Sequence, residues 1–227
     1  ELFNPEEFWT LNIKFNDKNK NSLTSTVSQL NNEKIEKFSF KNKSDINKAS
    51  EIIKSKKFSI SDISTKTVNR NPSGPFTTST LQQVSSSKLG FGASRTMQIA
   101  QRLYQGIDID GDTKGLITYM RTDGTNISND AIIEFRDYIN TTYGKEYLPD
   151  EPNNYSGKKA KNAQEAHEAI RPTNITNDPN SLKKYLSSDQ YKLYNLIWSR
   201  ALSSQMQSAK FDRKTILINS EDEKHVF

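Results

Sequence analysis

Apolar and polar positions alternate at the start of the chain, with Trp9, Leu11, Ile13 and Phe15 on one side and Thr10, Asn12 and Lys14 on the other. A period of two predicts a half-buried strand over 8–15. The polar run NDKNKNS then makes a turn, and a second β-prone region ends in Ile35, Phe38 and Phe40. The period next lengthens. Ser44 can cap a short helix that carries Ile46, Ala49, Ile52 and Ile53 on one stripe. Residues 57–68 return to strand with Phe58, Ile60 and Val68, and NRNPSGP at 69–75 has the chemistry of a turn and linker.

Beyond that linker the pattern is mostly helical. One helix is expected over 79–89, closed by Gly90, and another over 94–105, closed by Gly106, with Met97, Ala100, Leu103 and Tyr104 inward. Two short helices about a glycine-containing turn suggest a helix-turn-helix-like unit. An apolar run, Leu116 to Met120, reads as a strand. A helix capped by Ser128 follows, with Ile132, Phe135 or Arg136, and Ile139 inward, and it ends at Gly144. Residues 145–162 read as loop. AQEAHEAIRP reads as a short helix stopped by Pro172. Ser188 caps a long helix bearing Tyr191, Tyr194, Ile197, Trp198, Ala201 and Leu202, and strand alternation resumes with Phe211, Ile216 and Ile218. The order β-rich, helical, β-rich predicts an α+β multidomain chain. Residues 1–75 and 206–227 form the two parts of a split β-rich domain, and a mainly helical domain, 76–205, is inserted between them.

Composition narrows the function. The chain has 227 residues, 33% apolar content, a net charge of +5 and no cysteine. A mildly basic balance fits a phosphate-rich partner. The missing thiols exclude disulfides, thiolate zinc sites and a cysteine nucleophile. No apolar run approaches the ~20 residues of a membrane span, and no signal peptide opens the chain. A start at Glu1 and an end at Phe227 within strand-like alternation read as a piece of a longer polypeptide.

Several familiar sites fail on inspection. GIDIDGDT, 106–113, resembles a phosphate-cradling loop but holds Asp112 where lysine is needed. The same run spaces Asp108, Asp110 and Asp112 like a calcium loop, yet Thr113 and Tyr119 occupy the glycine and glutamate positions. A solvated acidic loop is the better reading. HEAIR, 167–171, has Arg171 in place of the second histidine of a helical zinc motif, and with two histidines in the chain no multi-histidine metal site can form. No Gly-x-Ser-x-Gly elbow is present.

GLITYMRTDGTN, 115–126, carries the remaining chemistry. Tyr119 and Arg121 are one strand period apart and belong on one face. A phenol titrates near 10 and is a weak nucleophile at neutral pH unless a cation favours the phenolate. A permanently charged guanidinium can do that and can also clamp phosphate oxygens. His167 and Arg171, four apart on the expected short helix, would share a face. An ordinary Glu168–Arg171 ion pair and a packed tyrosine are the plain alternatives. Tyrosine attack on a phosphodiester conserves the bond's free energy in a phosphotyrosine ester, so rejoining needs no nucleotide.

ITYMRTDGTN, PFTTSTLQQ at 75–83, RTMQIAQRLY at 95–104 and QEAHEAIRPT at 164–173 together resemble the bacterial type IA DNA topoisomerases, as do FWTLNIKF near the start and ALSSQMQSAKFD at 201–212. The resemblance covers nearly the whole chain. It implies that Tyr119 cuts one DNA strand and holds the 5′ phosphate, that Arg121 stabilises the scissile phosphate, and that His167 supplies a contact or proton. Asp123, Thr122, Arg171, Arg95 and Gln82 are implied as DNA-binding or supporting residues. The family usually has serine where this chain has Gly124, which puts a hydroxyl's role there in doubt. The β-rich halves would form the family's arch, and the inserted domain would carry the tyrosine. The resemblance also implies Mg2+, held by a preceding acidic domain not represented in these motifs, and no metal site in this chain. It implies a partner in single-stranded or underwound DNA, contact with the other domains of the same polypeptide, no membrane, a monomer, and a cytoplasmic, nucleoid-associated location. A fragment so placed is expected to be inactive alone. The competing reading is a non-catalytic DNA-binding module, for which Arg95 and Arg102 are the nearest basic candidates.

Overall fold

In the computed structural model of the chain, residues 4–16, 19–155 and 167–227 are described. They divide into two units, Glu1–Val68 with Phe211–Phe227, and Asn69–Lys210. Helix and strand are mixed in the first unit, and the second is mainly helical.

In the first unit, β1 (Asn12–Asn16) pairs antiparallel with β2 (Ser22–Thr26), Asn12 opposite Thr26 and Asn16 opposite Ser22. A tighter hairpin joins β3 (Gln29–Leu30) to β4 (Glu33–Lys34). The first helix, α1 (Lys43–Lys54), is capped by Asn42 rather than Ser44, the Asn42 Oδ1 accepting from the Asp45 amide at 3.0 Å. Asparagine and serine are equivalent caps on propensity, so the backbone path decides between them. Ile46, Ala49 and Ile53 face a small core with Val27, Phe40, Ile218 and Phe227. The rings of Phe15, Phe58 and Phe227 meet edge to face, with centroids 5.4–5.7 Å apart. Phe38 stays outside and packs on Phe8 at the surface.

The long strand β5 (Phe58–Arg70) pairs with β8 (Ala209–Ser220) as a two-stranded ribbon. Ile60, Ile63 and Phe211 on it are exposed, against the expectation that Ile60 and Phe211 turn inward. Two strands without a covering layer cannot bury both faces. The chain passes from one unit to the other at the far end of this ribbon.

In the second unit, α2 (Thr78–Leu89) starts with a capping box between Thr77 and Thr80 and closes at Gly90. The next helix, α3 (Ala93–Gln105), buries Thr96, Ile99, Ala100 and Leu103. Tyr104, expected inside, is exposed. The acidic run expected to be a loop is a hairpin of β6 (Ile107–Ile109) and β7 (Asp112–Lys114). Asp110 and Gly111 turn with φ of 55° and 89°, the conformation that favours Asp-Gly in a two-residue hairpin. Helix α4 (Asn129–Thr142) is capped by Ser128 and buries Ala131, Phe135 and Ile139, which settles the choice between Phe135 and Arg136. A single 3-10 turn, Lys145–Tyr147, follows. Helix α5 (Ser188–Ser204) begins from a Ser187–Gln190 capping box, one residue before the expected cap, and buries Leu193, Tyr194, Ile197 and Trp198. These faces converge on one core with Phe76, Leu81, Leu116, Ile117 and Met120.

Two segments differ from expectation. Leu116–Met120 is irregular, with one isolated bridge from Ile117 to Pro172. Residues 167–172 are extended rather than helical, bridging through Ile170 to Phe76 and through Pro172 to Ile117. The Ala169 amide donates to the Asn126 carbonyl at 2.9 Å, and the Ile170 amide to the Phe76 carbonyl at 2.8 Å. Proline at 172 steers Arg171 away from the helical region, and these long-range acceptors take the amides a helix would have used. Residues 163–166 of the expected helix lie outside the described residues.

Candidate active site

Burial alternates from Tyr119 to Gly124. Met120, Thr122 and Gly124 are buried, while Tyr119, Arg121 and Asp123 are exposed. The segment is not a regular strand, yet it keeps the period-two separation of a core side from a solvent side. Met120 anchors it in the core at 1% exposure, with Leu116 and Ile117 behind it.

Thr78, the first residue of α2, fixes the outer part of this segment. Its hydroxyl donates to the Met120 carbonyl at 2.8 Å and accepts from the Thr122 amide at 2.8 Å. Its own amide donates to the Thr122 carbonyl at 2.9 Å. Arg121 is thus held between two pinned neighbours with its side chain outward. The Thr122 hydroxyl donates to the His167 carbonyl at 3.0 Å and accepts from the Gly124 amide at 2.9 Å. Gly124 itself lies so close that a Cβ there would stand 2.0 Å from the His167 carbonyl oxygen. Glycine is required by this approach as long as His167 keeps its place.

The result is an aromatic group on the open face. The Tyr119 ring meets the His167 ring at 5.7 Å between centroids, and Tyr104 from α3 meets Tyr119 at 5.4 Å, both edge to face. Such pairs prefer this geometry and add about 0.5–1.5 kcal/mol beyond burial. The Tyr119 ring is 38% exposed, so its hydroxyl-bearing side chain is open to a ligand. Thr118, beside it, is fixed by its hydroxyl, which donates to the Ala169 carbonyl at 2.7 Å and accepts from the Arg171 amide at 3.0 Å.

The other candidates fall in different places. Arg171 pairs with Glu168 at 2.6 Å and also donates to the Pro172 carbonyl at 3.0 Å, with its side chain only 13% exposed. Its guanidinium is engaged in holding the extended segment, and the plain ion pair foreseen from sequence is present, though not on a helix. Arg95 pairs with Asp189 of α5 at 2.5 Å and lies over the Phe91 ring. Gln82 is half-buried on α2, with no side-chain hydrogen bond among the described residues. Arg121 faces a groove that it shares with Arg102 of α3. Sequence reasoning passed over Tyr104, Thr78 and Glu168. For Thr78 the signal was its place beside the capping threonine in PFTTST, and for Tyr104 an aromatic on the polar side of α3.

Among the described residues, no three His, Asp or Glu side chains converge as a metal ion needs. The groups present therefore do not fit a divalent cation, and the chemistry here rests on tyrosine, histidine and arginine.

A sequence model of the DNA topoisomerases matches residues 1–227, and the chain belongs to that family. DNA topoisomerase 1 of Rickettsia felis is 48% identical over 226 residues, covering 100% of this chain and 29% of that protein. The Zymomonas mobilis DNA topoisomerase 1 is 46% identical over 216 residues, covering 95% of this chain and 17% of its own length. Among solved structures, full-length topoisomerase I from Thermotoga maritima superposes with a TM-score of 0.70 at 37% identity, over 90% of this chain and 31% of that one. The chain thus corresponds to less than a third of the relatives it matches.

Proposed function

We propose that this chain contributes the nucleophile-bearing part of a bacterial type IA topoisomerase, with Tyr119 as the group that cleaves one DNA strand. The Tyr119 oxygen attacks the scissile phosphorus, a bond forms from tyrosine to the 5′ phosphate, and the bond from phosphorus to the 3′ oxygen breaks. The departing 3′ oxygen takes a proton, and the tyrosine proton passes to solvent or a neighbouring base. Resealing is the reverse attack of the 3′ hydroxyl, with tyrosine as the leaving group. The phosphotyrosine ester holds the energy of the broken link, so no nucleotide is consumed.

Each nearby residue has a role in this reading. Arg121, pinned outward by Thr78 on either side, binds the non-bridging oxygens as charge builds on them. His167 orients the Tyr119 ring and is placed to hydrogen-bond the same phosphate. Asp123, on the exposed side, orients a neighbour or helps to move the proton. Thr122 supports His167 through its carbonyl, and Arg171 fixes the segment from which His167 projects. Arg95 and Gln82 act as supports of the helical unit rather than as contacts to the strand. Mg2+ belongs to another domain of the longer protein. The split β-rich unit serves as the arch, whose movement opens the cleaved strand for passage of another.

The observation that carries this reading is an open tyrosine, in a family-wide sequence match, packed against histidine on a segment that also presents arginine to solvent. The test is plasmid relaxation and covalent capture. The chain alone leaves supercoiled plasmid unchanged. With the amino-terminal domain of a relative and Mg2+ added, it traps a labelled oligonucleotide on denaturation, and Tyr119→Phe abolishes the trap. Trapping that survives Tyr119→Phe rejects the assignment, and an assembled pair that never traps DNA favours a binding module without chemistry.

A further inference from the structure

An open groove of about 550 Å3 runs along α3 and is lined by Met97, Gln98, Gln101, Arg102, Gln105 and Arg121. We propose that it is a track for the sugar–phosphate backbone of the single DNA strand next to the scissile phosphate. The proposal rests on the reading of Tyr119 given above and extends it to where the strand lies.

Charge is the first support. Arg102 and Arg121 line the groove together and no carboxylate lines it. Between Asp62 and Asp108 the sequence has no acidic side chain at all, so neither α2 nor α3 carries a counter-charge of its own. Neither arginine forms an ion pair among the described residues, in contrast to Arg95 and Arg171, which hold Asp189 and Glu168. Two arginines of the unit are committed internally, and the two in the groove remain for a ligand.

Spacing is the second support. Gln98, Gln101, Arg102 and Gln105 recur at intervals of three and four and therefore form one stripe of α3. Three amides between cations can donate to phosphate and sugar oxygens without reading a base pattern. Such contacts position a nucleic acid rather than select its sequence. The stripe is otherwise costly to explain as packing, since Gln98, Arg102 and Gln105 are all exposed.

Position is the third. Arg121 belongs both to the groove and to the segment that carries Tyr119, so the track begins at the nucleophile. Tyr104, next to Gln105 in sequence, is 40% exposed and packs edge to face on Tyr119. An exposed ring beside a cationic groove is the arrangement on which an unstacked base rests, and it suits a single strand.

The test is a titration of the 227-residue chain with fluorescein-labelled oligothymidylate, read by anisotropy at several KCl concentrations. Arg102→Glu is expected to raise Kd about tenfold or more and to flatten the salt dependence by about 0.7 in the log–log slope for each phosphate left without its cation. Gln101→Glu, which adds one charge to the same stripe, is expected to weaken binding in the same direction. Lys88→Glu makes the same charge change as Arg102→Glu on the exposed end of α2, outside the groove, and should change Kd less than about twofold. Equal losses for Lys88→Glu and Arg102→Glu would mean diffuse attraction and overturn the track. Binding unaffected by Arg102→Glu and Gln101→Glu, or no binding by the unaltered chain, would also overturn it. Tyr119-dependent covalent capture is a separate readout. Its persistence alongside a failed groove test removes the track and leaves the nucleophile in place.

Discussion

The two units solve the burial problem differently. Residues 69–210 surround Leu81, Leu103, Phe135, Ile139 and Leu193, each at 0% exposure, with helices on every side. The unit of residues 1–68 and 211–227 has a smaller core about Phe40, Ile53 and Phe227, and it extends a ribbon with Ile60 and Ile63 more than half exposed. The contrast fits a division of labour. A nucleophile must be held within a fraction of an ångström of its target, which calls for a dense scaffold. A connecting ribbon must tolerate bending, which sparse apolar burial permits.

The sharpest way to break that contrast is to open the dense core. Phe135→Ala leaves a cavity beneath α4 and is expected to cost about 3–5 kcal/mol. The chain has two tryptophans, Trp9 in one unit and Trp198 in the other. In a Trp9→Phe background, Trp198 fluorescence during urea unfolding reports on the helical unit, and its midpoint should fall strongly. An unmoved midpoint would show that the helical unit does not depend on this core.

Gly124→Ala probes the same unit at the site. Its new Cβ, 2.0 Å from the His167 carbonyl oxygen, forces backbone apart and breaks the Thr122 bond to that carbonyl. The expected cost is about 1–3 kcal/mol, with covalent capture reduced more than stability alone explains. Unchanged capture would mean that the placement of His167 beside Tyr119 is not needed.

A smaller and differently signed effect belongs to the β-rich unit. His225 is buried, and burial holds its pKa below the usual histidine value, opposed by Asp222 and aided by Lys56 and Lys224. Its Nδ1 accepts from the Asn31 amide at 3.2 Å, which needs the neutral ring. The unfolded chain therefore binds the proton first. Stability is full above a pH of about 6.5 and is lost as pH falls from there through the lower folded value. Asp222, held down by hydrogen bonds from Lys56 and Ser220, adds a further loss in stronger acid. Urea titrations read by Trp9 should show this decline, and His225→Gln should flatten its upper part. The least effect is expected from Ile63→Thr on the ribbon, within about 0.5 kcal/mol; a larger loss would show that the ribbon is packed in solution.

Much of the helical unit was legible because its signals are local. Capping threonine and serine, closing glycines and apolar stripes placed α2, α3, α4 and α5 to within a residue or two. The Asp110–Gly111 turn was equally local, and its hairpin was overlooked because the acidic residues drew the reading toward a loop. Residues 167–172 were not legible in the same way. Ala, Glu and His favour a helix in isolation, but the amides of Ala169 and Ile170 find carbonyls at Asn126 and Phe76, far away in sequence. The site divides along the same line. Tyr119 and Arg121 were legible from period two, whereas the meeting of Tyr119 with His167 depends on that long-range pairing. The link through Thr122 to the His167 carbonyl depends on it too.

The central claim is that Tyr119 is the group that becomes joined to DNA. The most direct measurement traps the adduct with a relative's amino-terminal domain, Mg2+ and a single-stranded oligonucleotide, then digests the protein and the DNA and maps the modified peptide by mass spectrometry. The account predicts one nucleotide remnant, on the peptide containing Tyr119. A remnant on Tyr104 or another residue, or no adduct from a demonstrated assembly, would contradict it.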